Sequence, residues 1–388
     1  MKTFYKTLCI LIVSYLIITP TIYAQISFEK KNEVAVFISG QEGYKSFRIP
    51  AIIRILNGDL LAFCEGRVDH AGDFGHIDLV MKRSKDNGNS WSKLQVVARN
   101  GKLQVCNPAP VLDLTDSRFP QGRLFLFYNT GNVPEADILS GKGDKRCWFI
   151  TSVDGGESWS EPTDITPSVK KAGWRYYANT PGHAIQILNG SYKGRIYVAA
   201  NHSFGNPQPY GKHYQAHGYY TDDHGKTFHL STDIAYAGSN ESMVAELSNG
   251  KLMMNSRNQQ GNVKARLISL SNDGGKTWGS PYFDPVLIDP VCQGSILSLG
   301  EQNEQTMLAF CNAADTLHRN NLTLRISFDE GKSWVKDFLI YGKTQDEQSI
   351  DYAAYSDLVQ IADKQIGVLY EKDNYKTIEF TTISFKIF

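Results

Sequence analysis

Four arginines fall at comparable points of this 388-residue chain. Arg48 stands in Phe47-Arg-Ile-Pro50, and Arg257 closes an apolar stretch in Asn255-Ser-Arg257. Arg319 opens a strand-like stretch eight residues ahead of Ser327. Arg67, in Glu65-Gly-Arg67, holds in the first unit the place that Arg257 holds in a later one. A guanidinium is a planar fork that grips a carboxylate or phosphate at two points. Several of them on one concave end would form a receptor for such an anion. Any one alone could equally be a surface arginine with a local acidic partner. Two guanidinium charges about 5 Å apart repel by roughly 3 kcal/mol at an effective dielectric near 20. A convergent set therefore needs anions beside it.

The elements that could bring such distant residues together are visible in a repeat. Five octets share the pattern Ser/Thr-x-Asp-x-Gly-x-x-Trp/Phe: Ser84–Trp91, Ser152–Trp159, Thr221–Phe228, Ser271–Trp278 and Ser327–Trp334. Their first residues lie at 84, 152, 221, 271 and 327, a spacing of 50 to 69 residues. Self-similarity at such a period marks radially arranged or stacked units. Within an octet the Asp can accept backbone amides two residues on. The Gly supplies a positive φ, and the aromatic packs back beneath the turn. A hard-cation loop is the weaker reading, because each octet offers few carboxylates and ends in an apolar anchor.

Asn57-Gly58, Asn189-Gly190 and Asn249-Gly250 interleave with the octets between apolar runs, as type I′ hairpins do. The unit thus reads strand, Asn-Gly turn, strand, connection, strand, octet turn, strand. About 360 residues after position 30 hold about six such units, slightly above the kelch period. The expected fold is all-β: a six-bladed β-propeller of four-stranded antiparallel sheets, its last blade lacking an octet. Its ligand site lies at one end of the axis, fed by one or two residues per blade.

Residues 1–24 read as a signal peptide: Lys2 and Lys6, an apolar run from Leu8 to Ile18, then Ala24 before Gln25. Residues 25–388 then form one domain, exported to a periplasm or beyond, and the mature chain carries no membrane-inserted segment. Lys+Arg and Asp+Glu are equal at 40 each, which argues against nucleic-acid or anionic-membrane partners. Cys64, Cys106, Cys147, Cys292 and Cys311 are odd in number and irregularly spaced, as small buried apolar residues rather than a disulfide or zinc framework. No phosphate loop, His-Glu-x-x-His or Gly-x-Ser-x-Gly occurs, and neither metal nor cofactor is expected at the site.

With Phe47-Arg48-Ile49-Pro50, the five octets and the spaced polar segments together, the chain resembles the exo-α-sialidase (neuraminidase) family from Ile38 to Phe385. The resemblance implies a six-bladed propeller that removes terminal sialic acid from glycans. It implies that Arg48, Arg257 and Arg319 clamp the sugar carboxylate, that Glu371 orients Arg48, and that Arg67 faces the 4-hydroxyl. Asp73 becomes the acid/base, with Asp69 and Asp78 as rivals. Tyr355 becomes the nucleophile, with Tyr352 as rival, and Glu241 its partner, with Glu246 as rival. Trp174–Tyr177 and Pro181–Gln186 could wall the sugar, and His202 lies at the place matching Arg67 and Arg257. The alternatives are a trans-sialidase, an enzyme for a related nonulosonic acid, or a non-catalytic sialic-acid-binding propeller.

Overall fold

The computed structural model describes residues 26–342 and 351–388, apart from Asn32, Tyr210 and Asn303. The expected leader, residues 1–24, lies outside the described residues. Among the described residues the strands form five sheets, one of them two blades merged, so that six antiparallel blades follow one another. The first two, with innermost strands Ser46–Arg54 and Gln104–Asp113, join through a single parallel pairing of Ile77 with Gln104. The next three begin with the interrupted pair Tyr177–Asn179 and Ile185–Gln186, with Ser239–Glu246, and with Gly294–Gln302. The sixth blade is Ala353–Ala362, Gln365–Lys372 and Thr377–Ile387. Its outer edge is completed by Ile26–Lys30 and Val34–Ile38, both paired with Thr377–Ile387. This explains why the sixth blade has no octet: its outer strand comes from the other end of the domain.

The octets form the expected turns, with one difference in wiring. The Asp accepts the amide four residues on, not two: Ser90 N, Thr277 N and Ser333 N lie 2.9, 2.9 and 2.8 Å from Asp86, Asp273 and Asp329. The opening hydroxyl donates to that Asp, as in Ser84 Oγ to Asp86 Oδ1 at 2.8 Å, and accepts the glycine amide, Gly88 N, at 2.8 Å. The glycine is required twice over. Its φ is +81° at Gly225, and a Cβ there would stand 2.7 Å from the ring of Phe125 in the preceding blade. Gly331 meets Met253 of its preceding blade at the same separation. The octet aromatics press on the preceding blade too, as Trp159 does on Phe63 and Trp91 on Phe380.

The octets are therefore inter-blade joints, and the apolar cores lie between blades. Ile52, Cys64 and Val80 pack with Val359 and Phe380. Gly225→Ala is expected to lower stability by about 2 kcal/mol or more through overpacking and backbone strain. The check is a lower urea midpoint at unchanged slope. An unmoved midpoint would remove the joint role.

The Asn-Gly hairpins differ among themselves. Only Asn249 and Gly250 both take positive φ, at 60° and 71°. Asn57 instead accepts the Asp59 amide at 2.9 Å and leaves only Gly58 left-handed. Asn189 is extended at φ −127°, and its turn runs on through a short 3-10 segment, Gly190–Tyr192. The five cysteines are free and buried, as expected. Among the described residues no helix is long and apolar enough to cross a membrane.

Candidate active site

Four innermost strands carry a β-bulge at the same end of the wheel. The register slips between Arg48 and Ala51, Cys106 and Ala109, Ser239 and Ser242, and Ala353 and Ser356. In each, two residues oppose one on the neighbouring strand, an arrangement that re-aims side chains. Asn240 and Glu241 oppose Arg257, while Ala354 and Tyr355 oppose Glu371. In the first bulge Ile49 holds φ +64°, a region a β-branched residue rarely enters. Its amide donates to Glu371 Oε1 at 2.8 Å, which helps to hold that conformation.

These bulges ring a cavity of about 480 Å³, within the range of small-molecule sites. Arg48, Arg67, Asp73, Glu241, Arg257, Arg319 and Tyr355 all line it. Glu371 lies behind them, fully buried. The rivals lie elsewhere. Asp78 accepts the Tyr44 hydroxyl at 2.9 Å. Glu246 accepts the Leu188 and Asn189 amides, both at 2.8 Å. Asp69 and Tyr352 are not in the lining.

The Tyr355 hydroxyl lies 2.7 and 2.8 Å from the two Glu241 carboxylate oxygens. Arg257 Nη1 donates to Glu241 Oε2 at 2.6 Å and to the Tyr355 hydroxyl at 3.0 Å. Burial, and next the Glu241 charge, push the phenol well above its usual range, against the pull of Arg257 and Arg319. Tyr355 is therefore a neutral hydroxyl with an acceptor already in place. Arg48 and Arg319 each bring their guanidinium carbon 5.4 Å from the Tyr355 ring centre, so three arginines surround one phenol.

The anions that such a cluster needs are present. Arg48 Nε donates to Glu371 Oε1 at 2.6 Å, and the other Glu371 oxygen accepts the Tyr355 amide at 3.1 Å. One carboxylate thus ties together two of the bulges' working residues. Burial opposes the Arg48 charge, but Glu371 more than restores it, leaving the guanidinium even harder to deprotonate. Arg67 is clasped by Glu65 at 2.7 Å and reaches Asp73 Oδ1 at 2.9 Å. The Asp73 side chain is 86% exposed at the cavity mouth. Desolvation pushes its carboxyl up, yet the Arg67 charge, followed by Arg48, holds it below the usual carboxylate range. Given that exposure, the ion pair decides the direction.

The sequence did not reveal every residue around the arginine cluster. Tyr375 lies under Arg48, its ring centre 3.8 Å from the guanidinium carbon, and its hydroxyl receives Arg319 Nη1 at 3.1 Å. It sits in a tight turn where Asp373, Asn374 and Tyr375 all have positive φ. Glu135, Lys145 and Tyr214 form the wall on another side. Of the suggested aromatic wall only Tyr176 lines the cavity. Trp174 stacks on His202, 3.6 Å between ring centres, and His202 is buried at 1% exposure outside the lining. His183 binds Asp357 at 2.8 Å. His76 Nε2 lies 3.7 Å from Asp78 Oδ1. Arg319 precedes the strand Leu322–Ser327 rather than opening it.

A six-bladed wheel with a basic hollow around a phenol–carboxylate pair is the architecture of a propeller glycoside hydrolase. Residues 58–368 match the model of the BNR repeat-like domain. The chain is 30% identical over 363 residues to a sialidase of Micromonospora viridifaciens, covering 88% of this chain and 52% of that protein. It is 28% identical to an exo-alpha-sialidase of Arthroderma benhamiae, covering 86% and 80%. It thus spans about half the length of the first relative and most of the second. Among solved structures, Hadza microbial sialidase Hz136 superposes with TM-score 0.77 at 23% identity, over 90% of this chain and 68% of that one. An intramolecular trans-sialidase of Ruminococcus gnavus follows at TM-score 0.71 and 16% identity, covering 90% and 96%. The chain belongs to the exo-α-sialidase family of BNR-repeat propellers, and with it to the glycoside hydrolases.

Proposed function

We propose that the protein is a retaining exo-α-sialidase that hydrolyses terminal sialic acid from glycoproteins, glycolipids or oligosaccharides, and that it acts outside the cytoplasm after export. The observation that carries this reading is the Tyr355 hydroxyl within hydrogen-bond reach of both Glu241 and Arg257 on the wall of an arginine-lined cavity. A sialoside carries a carboxylate on its anomeric carbon. A carboxylate nucleophile would approach that carbon against like charge, whereas a neutral phenol does not. A tyrosine nucleophile is the recognised exception among glycosidases and is already known for sialidases.

In this reading Arg48, Arg257 and Arg319 hold the substrate carboxylate. Tyr355 attacks as Glu241 takes its proton. Asp73 protonates the departing oxygen, then removes a proton from the water that releases the sugar. Two inversions leave the configuration retained. Arg67 both orients Asp73 and faces the sugar hydroxyls. The test is the purified chain with a sialoside plus lactose, followed by NMR. Free sialic acid released first as the α-anomer is expected. A new sialyl-lactose product would indicate a transferase instead, and no reaction would indicate a binding protein.

Glu371→Gln checks the support beneath the clamp. The variant loses the fixed anion that binds Arg48 and the Tyr355 amide, while nothing that touches sugar is removed. A fall in kcat/KM of about 10- to 100-fold, chiefly through KM, is expected. Unchanged kcat/KM would remove the orienting role.

A further inference from the structure

Outside the cavity the third blade buries a second group of polar side chains. His202 lies on the strand Ile196–Ser203 and His217 on its neighbour Tyr214–Thr221. They are 1% and 0% exposed. Their Nδ1 atoms face each other at 3.2 Å. Asp233, in the connection to the fourth blade, places Oδ1 3.9 Å from His202 Nδ1. One ligand atom from each of the three lies within 4.8 Å of the other two.

From the facing imidazoles and the carboxylate beside them, we propose that His202, His217 and Asp233 bind one zinc ion or a closely related late first-row divalent cation. A metal with Zn–N bonds of about 2.0–2.1 Å in tetrahedral geometry sets its ligand atoms about 3.3 Å apart. The imidazole pair already has that separation, and Asp233 Oδ1, at 3.9 Å, must come about half an ångström closer to His202 Nδ1. Two neutral nitrogens and one carboxylate are a donor set suited to zinc rather than to calcium or magnesium, which favour all-oxygen sites.

A simple hydrogen bond between the imidazoles explains less. One ring would donate and the other accept, and Asp233 Oδ1 would remain buried without a hydrogen-bond partner, as it is here. Such an atom is costly, and a shared cation would give Asp233 Oδ1 a partner along with both Nδ1 atoms. Trp174, stacked on His202, shields the group from water. The Lys171 ammonium, 5.0 Å from the Trp174 ring, opposes a cation, but it is exposed and screened by salt. The ion would join two strands of the third blade to the segment that enters Ser239–Glu246, the strand carrying Glu241.

The experiment uses the full chain stripped with a chelator and dialysed, then titrated calorimetrically with zinc chloride. One zinc per chain is expected, with Tm raised by about 3 °C at a hundredfold excess over Kd. Cobalt should give the intense visible bands of a low-coordinate site. Asp233→Asn, at a side chain 29% exposed, should fold, as circular dichroism can check, and bind zinc at least tenfold more weakly; His217→Gln should do the same. Absence of zinc binding by the wild type overturns the proposal. So does equal binding by wild type and Asp233→Asn, which would mean an ion held elsewhere on the surface. These readouts are independent of sialoside cleavage, so the site and the proposed activity stand or fall separately.

Discussion

Tyr355→Phe is expected to lower kcat on a sialoside by on the order of 10³-fold or more, while sugar binding survives within a few-fold. The variant removes one oxygen, and that oxygen is the atom 2.7 Å from Glu241 and 3.0 Å from Arg257. The ring stays, so the 5.4 Å stacking distances to Arg48 and Arg319 are retained and the arginine clamp keeps its shape. In the proposed reaction what is lost is the nucleophile and the proton path to Glu241, whose effects act as one unit and are not additive. Glu241→Gln should therefore reach a similar kcat, and the double variant should be little worse than either. Single-turnover kinetics together with calorimetric binding of sialic acid separate the two quantities. A Tyr355→Phe enzyme cleaving at a near-normal rate, or two losses that multiply, would remove the phenol from the reaction.

Much of the wheel could be read from the chain because an octet is a local device. Ser84, Asp86, Gly88 and Ser90 bond among themselves, so their spacing alone announces the turn. The six-bladed count followed from it. The closure of the sixth blade did not, because Val34 pairing with Phe380 joins distant segments with no local signature. The site divides the same way. Arg48 and Tyr355 stand in recognisable segments, and the family resemblance brought them together with Glu241 and Glu371. The bulges that aim them depend on a two-against-one register with the adjoining strand, which no spacing records. Tyr375 was missed for a related reason. A tyrosine with φ +62° in a tight turn looks like turn filler until the fold sets it beneath Arg48. His202 failed in the opposite direction. Its place in the repeat matches Arg67 and Arg257, yet it is buried under Trp174 away from the cavity, because position along a strand does not fix the way a side chain points.

Asp73→Asn is expected to separate substrates by their leaving groups. Release of an alkyl sugar alcohol needs a proton on the departing oxygen, and losing the acid costs about 10²- to 10⁴-fold. An aryl leaving group departs as a stable phenolate and should lose far less in the glycosylation step. The ion pair with Arg67 at 2.9 Å gives this carboxyl a further signature in pH. Arg67 holds Asp73 below the usual carboxylate range, so in the free enzyme the protonated form gains population only as the solution becomes acidic. For natural sialosides kcat/KM should therefore keep climbing as pH falls toward, and below, the usual carboxylate range. Arg67→Gln removes the charge that depresses the pKa. The Asp73 pKa should rise, and the alkaline limb of the profile should move upward in pH even as the lost sugar contact raises KM. In Asp73→Asn that limb should disappear from the profile of the alkyl substrate. Equal losses on aryl and alkyl sialosides, or a limb unmoved by Arg67→Gln, would mean that the proton comes from another group. Glu135, a half-buried carboxylate on the cavity wall whose pKa is raised by desolvation, would then be the next to test.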